Sequence, residues 1–545
     1  MSTRVAAVRA TAAVPTTVIR VAAAADLAEG EMQEVEVAGT KLLLSNVGGQ
    51  FYATSAFCTH YGAPLATGVL AGPKVICPWH HAVFDVTDGA LDEPPALDAL
   101  ARFETIVEDG SVFVVLPEDE HGTPLIGDGV APHEGCVPAM AARDFDADPR
   151  TFVIVGGGAA GLAAAETLRQ VGFQGRVVLV TDADELPIDR TKLSKGYLAG
   201  APRDSLPLRS ADFFERYGIE VRTGHRVAHL DAEAKEIHFT NEGDGARMPL
   251  AYDAALIATG GTPRRLGIPG ADLDGVFLLR STDDATQIVE AAEAGQSAIV
   301  VGTGFIGMEA AAALIGRGLS VTVVGIEAVP FERILGPDVG AVFQRLHEEK
   351  GVAFRMNASA DAIAATDDGL RLTLGDGTAL DADFIVMGVG VTPATDFLDG
   401  LPMDDRGALV ADAQLRIGPN LYAAGDIASY PEARLGERVR IEHWRLAQQH
   451  GRIAARNMAG QAVPFEAVPY FWSGQLGMNL RYLGHAKSWD EILIDGSLDD
   501  RQFVAYYVKD GRVVAAAGVK RDKVIASLHA HWMTGGTTSA DEVRG

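Results

Sequence analysis

Two short segments near the N-terminus hold the side chains best suited to metal or redox chemistry. Cys58-Thr59-His60 and Cys77-Pro78-Trp79-His80 each join a thiol to an imidazole, and sixteen residues separate them. Two cysteines and two histidines paired this way are what an asymmetric [2Fe–2S] cluster needs, with thiolates on one iron and imidazoles on the other. The same donors suit a tetrahedral zinc ion. Zinc motifs usually group cysteines with cysteines and histidines with histidines, however, whereas each half here mixes them. Cys58, His60, Cys77 and His80 are therefore the candidate metal ligands. His81 reads as a group behind the ligands or on the surface. Tyr61–Gly62–Ala63–Pro64 and Pro78 give both segments the character of tight loops, which can face each other across one cluster.

A second chemistry is signalled by two glycine fingerprints 146 residues apart. Gly156-Gly157-Gly158-Ala159-Ala160-Gly161 follows the apolar run Thr151–Val155 and leads into an Ala- and Leu-rich helix. Gly156 allows a tight turn, Gly158 lets the backbone approach a pyrophosphate, and Gly161 lets helix and strand pack closely. Gly302-Thr303-Gly304-Phe305-Ile306-Gly307 repeats the pattern after Ser297–Val301. The first unit reads as an FAD site and the second as a nicotinamide site. An acid after the second strand of each unit binds the adenosine ribose. After Val177–Val180 the candidates are Asp182 and Asp184, with Asp182 preferred. After Val321–Val324 the usual position is Gly325 and the acid is Glu327, two residues on. A 2′-phosphate calls for an arginine, and none follows until Arg333. NADH is the expected coenzyme and NADPH the alternative.

These motifs need elements to position them. Residues 18–117 break into short apolar or β-branched runs (Val35–Val37, Thr40–Leu44, Phe51–Thr54, Lys74–Ile76, Ala82–Val86, Val112–Leu116) and predict an all-β domain. Residues 118–149 read as a linker, with Cys136 incidental within it. From Thr151 strands alternate with helices, the pattern of parallel α/β layers. The expected organisation is a first FAD segment at 150–283, a nicotinamide domain at 284–404, a second FAD segment at 405–460, and a small α+β domain at 461–545. That last domain includes strands Gln502–Val508 and Val513–Val519 and a helix Asp522–Trp532.

The net charge of −27 argues against nucleic acid and anionic membrane as partners. No apolar stretch approaches the roughly 18 residues that span a bilayer. Three cysteines in 545 residues fit a reducing, cytoplasmic compartment. Residues 1–25 carry Arg4, Arg9 and Arg20 and no acid, which leaves a mitochondrial transit segment as the alternative.

On these residues, 18–117 resemble the Rieske family, in which the four candidate donors are the cluster ligands. Residues 150–545 resemble FAD-dependent ferredoxin reductases of bacterial oxygenase systems. The chain beyond its tail resembles Rieske-containing apoptosis-inducing-factor-like oxidoreductases of the pyridine nucleotide–disulfide reductase superfamily. The resemblance implies that Leu186–Lys195 runs over the flavin, with Arg190 neutralising phosphate and Lys195 near the isoalloxazine, paired with Glu309 beside the nicotinamide. Lys192 reads as a solvated-face lysine. The ribose glutamate of the family aligns with Ala183, so Asp182 must substitute. Ala258-Thr259-Gly260-Gly261 would pass close to bound dinucleotide, Phe305 would open the coenzyme helix, and Gly425-Asp426 would meet the ribityl chain. Glu442-His443-Trp444, with Ala447 and Gln448, would lie beside the flavin pyrimidine. Trp472, in Pro469–Ser473, would shield the flavin.

Departures from these families carry information. The disulfide cysteines of respiratory Rieske proteins match Ala63 and Trp79, and their hydroxyl donor matches Ala82. Fewer hydrogen bonds to the sulfurs predict a potential low in the Rieske range. No cysteine follows residue 181, so dithiol chemistry is excluded. The expected activity is electron transfer from NAD(P)H through FAD and then singly through the cluster to an oxygenase, ferredoxin or cytochrome, with a homodimer possible. The alternatives are a slow-turnover NAD(H)-responsive signalling protein and direct transfer from flavin to an external ferredoxin.

Overall fold

A computed structural model describes residues 16–37, 39–117, 139–241 and 247–544. The tail through residue 15, the linker from 118 to 138 and Cys136 lie outside the described residues. The chain divides into two compact units, Met1–Pro138 and Ala139–Gly545.

The first unit is all-β. Six antiparallel strands run in the order Thr16–Ala23, Ser111–Pro117, Arg102–Glu108, Gln50–Ser55, Thr40–Val47, Met32–Val37. A smaller antiparallel sheet holds Val69–Ala71, Lys74–Ile76, Val83–Asp85 and Leu91–Glu93. Six strands match apolar runs expected from the sequence. Thr16–Ala23, Val69–Ala71, Leu91–Glu93 and Arg102–Glu108 lie outside those runs, and each buries little of its surface. Leu43, Leu65, Val75, Phe84 and Leu100 pack around the two cysteines. The pairing Ile76↔Val83 makes 77–82 a hairpin loop.

The second unit contains two parallel sheets. The first runs Ile219–Arg222, Arg176–Val180, Thr151–Val155, Ala254–Ile257, Leu421–Ala423, with Arg416–Gly418 added antiparallel. Four of the five residues in Thr151–Val155 are buried, as expected for a strand covered on both faces. The second runs Val276–Phe277, Phe384–Met387, Ser297–Val301, Ser320–Val324, Ala353–Arg355. Val276–Phe277 already belongs to this sheet, so the coenzyme-binding layer begins before the expected boundary at 284. The chain crosses between the layers twice, and the crossings pair antiparallel as Gly261–Pro263 with Val391–Pro393. Residues expected to be linker join this unit: Ala141 and Asp144 donate backbone N–H groups to Arg169 and Gln174 carbonyls at 2.8 and 2.9 Å.

Helix Trp444–Met458 lies on helix Ala159–Gln170 closely enough that a Cβ on Gly451 would stand 2.1 Å from the Ala160 carbonyl oxygen. Five antiparallel strands, Tyr470–Gln475, Met478–Gly484, Arg512–Val519, Gln502–Lys509 and Glu491–Ser497, form the last sheet, with helix Asp522–Met533 packed on it. Among the described residues no helix is long and apolar enough to cross a membrane.

Candidate redox sites

The two cysteine–histidine loops share one backbone design. Cys58 N–H donates to Ala63 O and Cys77 N–H to Ala82 O, each at 2.9 Å, and the two cysteine carbonyls accept from Gly62 and His81 N–H at 2.9 and 3.2 Å. The residue four beyond each cysteine is left-handed, Gly62 at φ 73° and His81 at φ 57°. His81 thus occupies a position that favours glycine. It is fully buried, so of the two places the sequence allowed it, the surface is ruled out.

Cys58 and Cys77 are buried at the loop bases, and burial together with the neighbouring Cys77 pushes the Cys58 thiol well up. A cationic centre between two such thiols would favour their ionised, ligating form. The His60 and His80 Nδ1 atoms face each other at 3.1 Å. Tyr61 stacks on His60 with centroids 3.9 Å apart, and Trp79 meets the His80 ring edge-on. Among the described residues no three His, Cys, Asp or Glu side chains are arranged for one metal ion. The donors come as a sulfur pair and a nitrogen pair, which fits a two-iron cluster.

In the second unit both fingerprints have the same geometry. Gly156 and Gly302 are left-handed at φ 112° and 116°, and a Cβ on either would stand 2.3 Å from a carbonyl oxygen, of Ala258 and Gly388 respectively. Gly161 and Gly307 would drive a Cβ into the carbonyls of Gly156 and Gly302. Gly158 and Gly304 instead face open space and cap helices Ala159–Gln170 and Phe305–Gly316 with no side-chain hydrogen bond. The first-turn N–H groups there are available to a pyrophosphate.

Around the first fingerprint, Arg190 shares a field with Arg280, Asp182, Asp426 and Glu185; burial, reinforced by Arg280, pushes its guanidinium down to about 10. Asp184 points elsewhere, its Oδ1 3.0 Å from where a Gly224 Cβ would be. Lys192 is not a free surface lysine: its Nζ donates to Ser205 O at 2.6 Å. Arg280, which no motif singles out, bonds Asp426 Oδ2 at 3.2 Å. Gly260 is left-handed at φ 72° and leaves room for Arg280 Nη2, 2.9 Å from its Cβ position. Thr259 Oγ1 donates to Ala394 O at 2.9 Å, tying the two crossings. Arg440 bonds Asp426 O at 3.1 Å and Glu442 at 2.7 Å. The Glu442 carboxyl is pushed up by burial and by Asp426, against Arg440.

Buried polar atoms gather at the start of helix Trp444–Met458. His443 Nδ1, Gln448 Oε1 and Arg280 Nε have no hydrogen-bond partner among the described residues. These orphaned atoms fit a polar cofactor ring and chain. Burial, with His485 alongside, pushes the His443 imidazole down to about 3, so it stays neutral. His450, which unlike His443 the sequence did not single out, accepts from Gly425 N–H through Nδ1 at 3.2 Å and is pushed down to about 3 by burial.

An ion pair joins the segment Leu193–Tyr197 to the helix of the second fingerprint. Lys195 Nζ lies 2.8 Å from Glu309 Oε2, and the carboxylate is 4% exposed. Ser194 Oγ donates to the same oxygen at 2.5 Å and Ser473 Oγ to the other at 2.6 Å. Ser473 shares a strand face with Phe471, whose ring meets His443 at 4.4 Å and Phe305 at 4.8 Å. Trp472, expected beside the flavin, occupies the opposite face next to Tyr470, as strand alternation requires. At the second strand end, Gly325 has no room for a side chain, since its Cβ would stand 2.3 Å from Thr303 Cγ2. Glu327 takes a bond from Thr303 Oγ1 at 2.9 Å instead.

Two tandem dinucleotide-binding layers joined at a lysine–glutamate pair, with a two-loop thiolate–imidazole domain on the same chain, define a nicotinamide-dependent flavin and iron–sulfur oxidoreductase. The families described as pyridine nucleotide-disulphide oxidoreductase, Rieske [2Fe-2S] domain and reductase C-terminal match residues 150–451, 17–104 and 470–543. Apoptosis-inducing factor 3 of Homo sapiens is 37% identical over 512 residues, 92% of this chain and 82% of that protein. The ferredoxin–NAD(+) reductase component of the p-cumate 2,3-dioxygenase system of Pseudomonas putida is 35% identical over 382 residues, 70% of this chain and 92% of its own. A ferredoxin reductase crystal structure from Rhodopseudomonas palustris superposes with a TM-score of 0.67 at 30% identity, covering 72% of this chain and 96% of that one. The chain belongs to the pyridine nucleotide-disulphide oxidoreductase family, with a fused Rieske domain. It is an FAD-dependent NAD(P)H oxidoreductase that passes electrons to a redox acceptor.

Proposed function

We propose that the chain oxidises NADH and delivers the electrons through its own Rieske cluster to a protein acceptor with a basic docking face. When bound, the flavin takes up hydride and the cluster carries single electrons. Cys58 and Cys77 would hold one iron, and His60 and His80, through Nδ1, the other. Arg190, Arg280 and the open turn at Gly158 would receive the FAD phosphates, Asp182 the adenosine ribose and Asp426 the ribityl chain. His443, kept neutral, and Gln448 would offer acceptors to the pyrimidine edge. Glu309 holds Lys195, whose ammonium would counter negative charge gained by the ring. The residues act by position and charge, with no general acid or nucleophile required.

The observation that carries this reading is the Lys195–Glu309 pair at 2.8 Å, which joins the two dinucleotide layers at one point. NADH is supported by Glu327, held by Thr303 as an acceptor for a ribose 2′-OH. Two of the similar proteins are named as an NAD(+) reductase of a dioxygenase system and as an apoptosis-inducing factor; rapid reduction of an artificial acceptor would favour the first type of role. The net charge of −27 supports a basic acceptor, and the sparse cysteines support a cytoplasmic setting.

The test compares NADH-driven reduction of ferricyanide and of cytochrome c, a basic protein, in wild type and Cys77→Ser. Loss of cytochrome reduction with ferricyanide reduction retained supports the cluster path. Equal cytochrome reduction by both proteins contradicts it.

A further inference from the structure

The loop after strand Ser320–Val324 carries two opposite charges where a coenzyme ribose is read. Glu327 Oε2 accepts from Thr303 Oγ1 at 2.9 Å, and Glu327 Oε1 lies 3.2 Å from Arg333 Nε. Thr303 is the middle residue of Gly302-Thr303-Gly304, so the acid is fastened to the fingerprint itself. The backbone around it is equally fixed. Gly325 O and Glu327 O accept from Ala358 and Asn357 N–H, both at 2.9 Å, and Glu332 Oε2 accepts from Ala328 N–H at 2.8 Å. The Arg333 side chain, by contrast, is 73% exposed, and its contact with Glu327 is its one ion pair among the described residues. Ile326, between Gly325 and Glu327, is 60% exposed and offers apolar surface beside these charges.

A carboxylate accepts a ribose 2′-OH and repels a 2′-phosphate, while a guanidinium fork binds phosphate in two-point geometry. Here the two groups are bonded to each other, so the carboxylate both selects the hydroxyl and occupies the arginine. We propose that Arg333 is a coenzyme-specificity residue, kept from a 2′-phosphate by its ion pair with Glu327. The inference rests on the assignment of the second fingerprint to the nicotinamide coenzyme. On this account discrimination against NADPH comes from the charge of Glu327, and the phosphate ligand is already in place. Sequence spacing alone hides the arrangement, because Arg333 stands six positions beyond Glu327 and reaches it only through the turn at Ala328–Phe331.

The experiment measures kcat/KM for NADH and NADPH with ferricyanide as acceptor, on FAD-loaded full-length protein. The proteins are wild type, Glu327→Gln, Arg333→Gln and the double variant. Glu327→Gln retains a partner for Thr303 and removes the charge. It should raise the NADPH-to-NADH ratio of kcat/KM about ten-fold or more, equivalent to about 1.4 kcal/mol. The double variant should lose most of that gain. A fold defect would lower both coenzymes together and leave the ratio unmoved. Equal ratios in Glu327→Gln and the double variant would overturn the role of Arg333, as would a ratio unmoved by Glu327→Gln while kcat/KM for NADH stays near that of wild type. Failure of the underlying assignment would look different: neither nucleotide would reduce the flavin of the wild type.

Discussion

Glu309 Oε2 lies 2.8 Å from Lys195 Nζ while Oε1 lies 2.6 Å from Ser473 Oγ. One carboxylate thereby links the segment between strands Arg176–Val180 and Ile219–Arg222 of the first sheet, the helix of the second fingerprint and the C-terminal sheet. Hydrogen bonds to a charged group contribute about 1.5–3 kcal/mol each, and a buried carboxylate left without partners is costly. Lys195→Met should slow NADH reduction of the flavin on the order of 10–100-fold if the ammonium stabilises developing charge. Ser473→Ala should lower unfolding free energy by roughly 1.5–3 kcal/mol. Stopped-flow absorbance and denaturant titration measure the two.

Acid should destabilise the flavin-binding half through His450. Its ring lies between Tyr430 and Phe465 with centroids 4.5 and 4.4 Å away, and burial takes it from 6.5 down to about 3. The unfolded chain binds this proton below about 6.5 and the folded chain does not, so stability rises with pH across that interval and is lost as pH falls from 6.5 toward 3. His450→Gln should flatten the slope of unfolding free energy against pH in that window by up to one proton. An unchanged slope would show that His450 titrates alike in both states.

Ala82 places a methyl group where the resemblance puts a hydroxyl donor to the cluster. It is fully buried, and its carbonyl closes the Cys77 turn. Ala82→Ser should raise the cluster midpoint potential by tens of millivolts, because a donated hydrogen bond stabilises the more negative reduced state. An EPR-monitored redox titration reads the shift.

Reduction of a basic protein acceptor should weaken with salt. Raising ionic strength shortens the Debye length from about 10 Å at 0.1 M to about 3 Å at 1 M. KM for cytochrome c should therefore rise with salt, while KM for a neutral artificial acceptor should change little.

The sequence made the cluster loops and glycine turns legible because their chemistry depends on residue type at fixed spacing. Gly156 and Gly302 cannot be anything else at φ above 110° with a carbonyl 2.3 Å from a Cβ. The Lys195–Glu309 contact became legible only through resemblance, since 114 residues separate the pair. Arg280 escaped notice because nothing local marks it, and Ser473, though it ends the Pro469–Ser473 segment, gave no sign of its bond to Glu309: each acts through a partner brought near by the fold. Some strands of the first unit escaped for a related reason. Arg102–Glu108 is held by its neighbours in the sheet, and in its own sequence, Arg-Phe-Glu-Thr-Ile-Val-Glu, three charged residues interrupt the apolar ones.

The central claim is that nicotinamide electrons reach the cluster held by Cys58, His60, Cys77 and His80. The most direct test is the EPR spectrum of cluster-replete protein after anaerobic addition of NADH, beside a dithionite-reduced sample. A Rieske-type signal with NADH, comparable in intensity to that with dithionite, is the predicted result. A signal with dithionite and none with NADH would contradict the account.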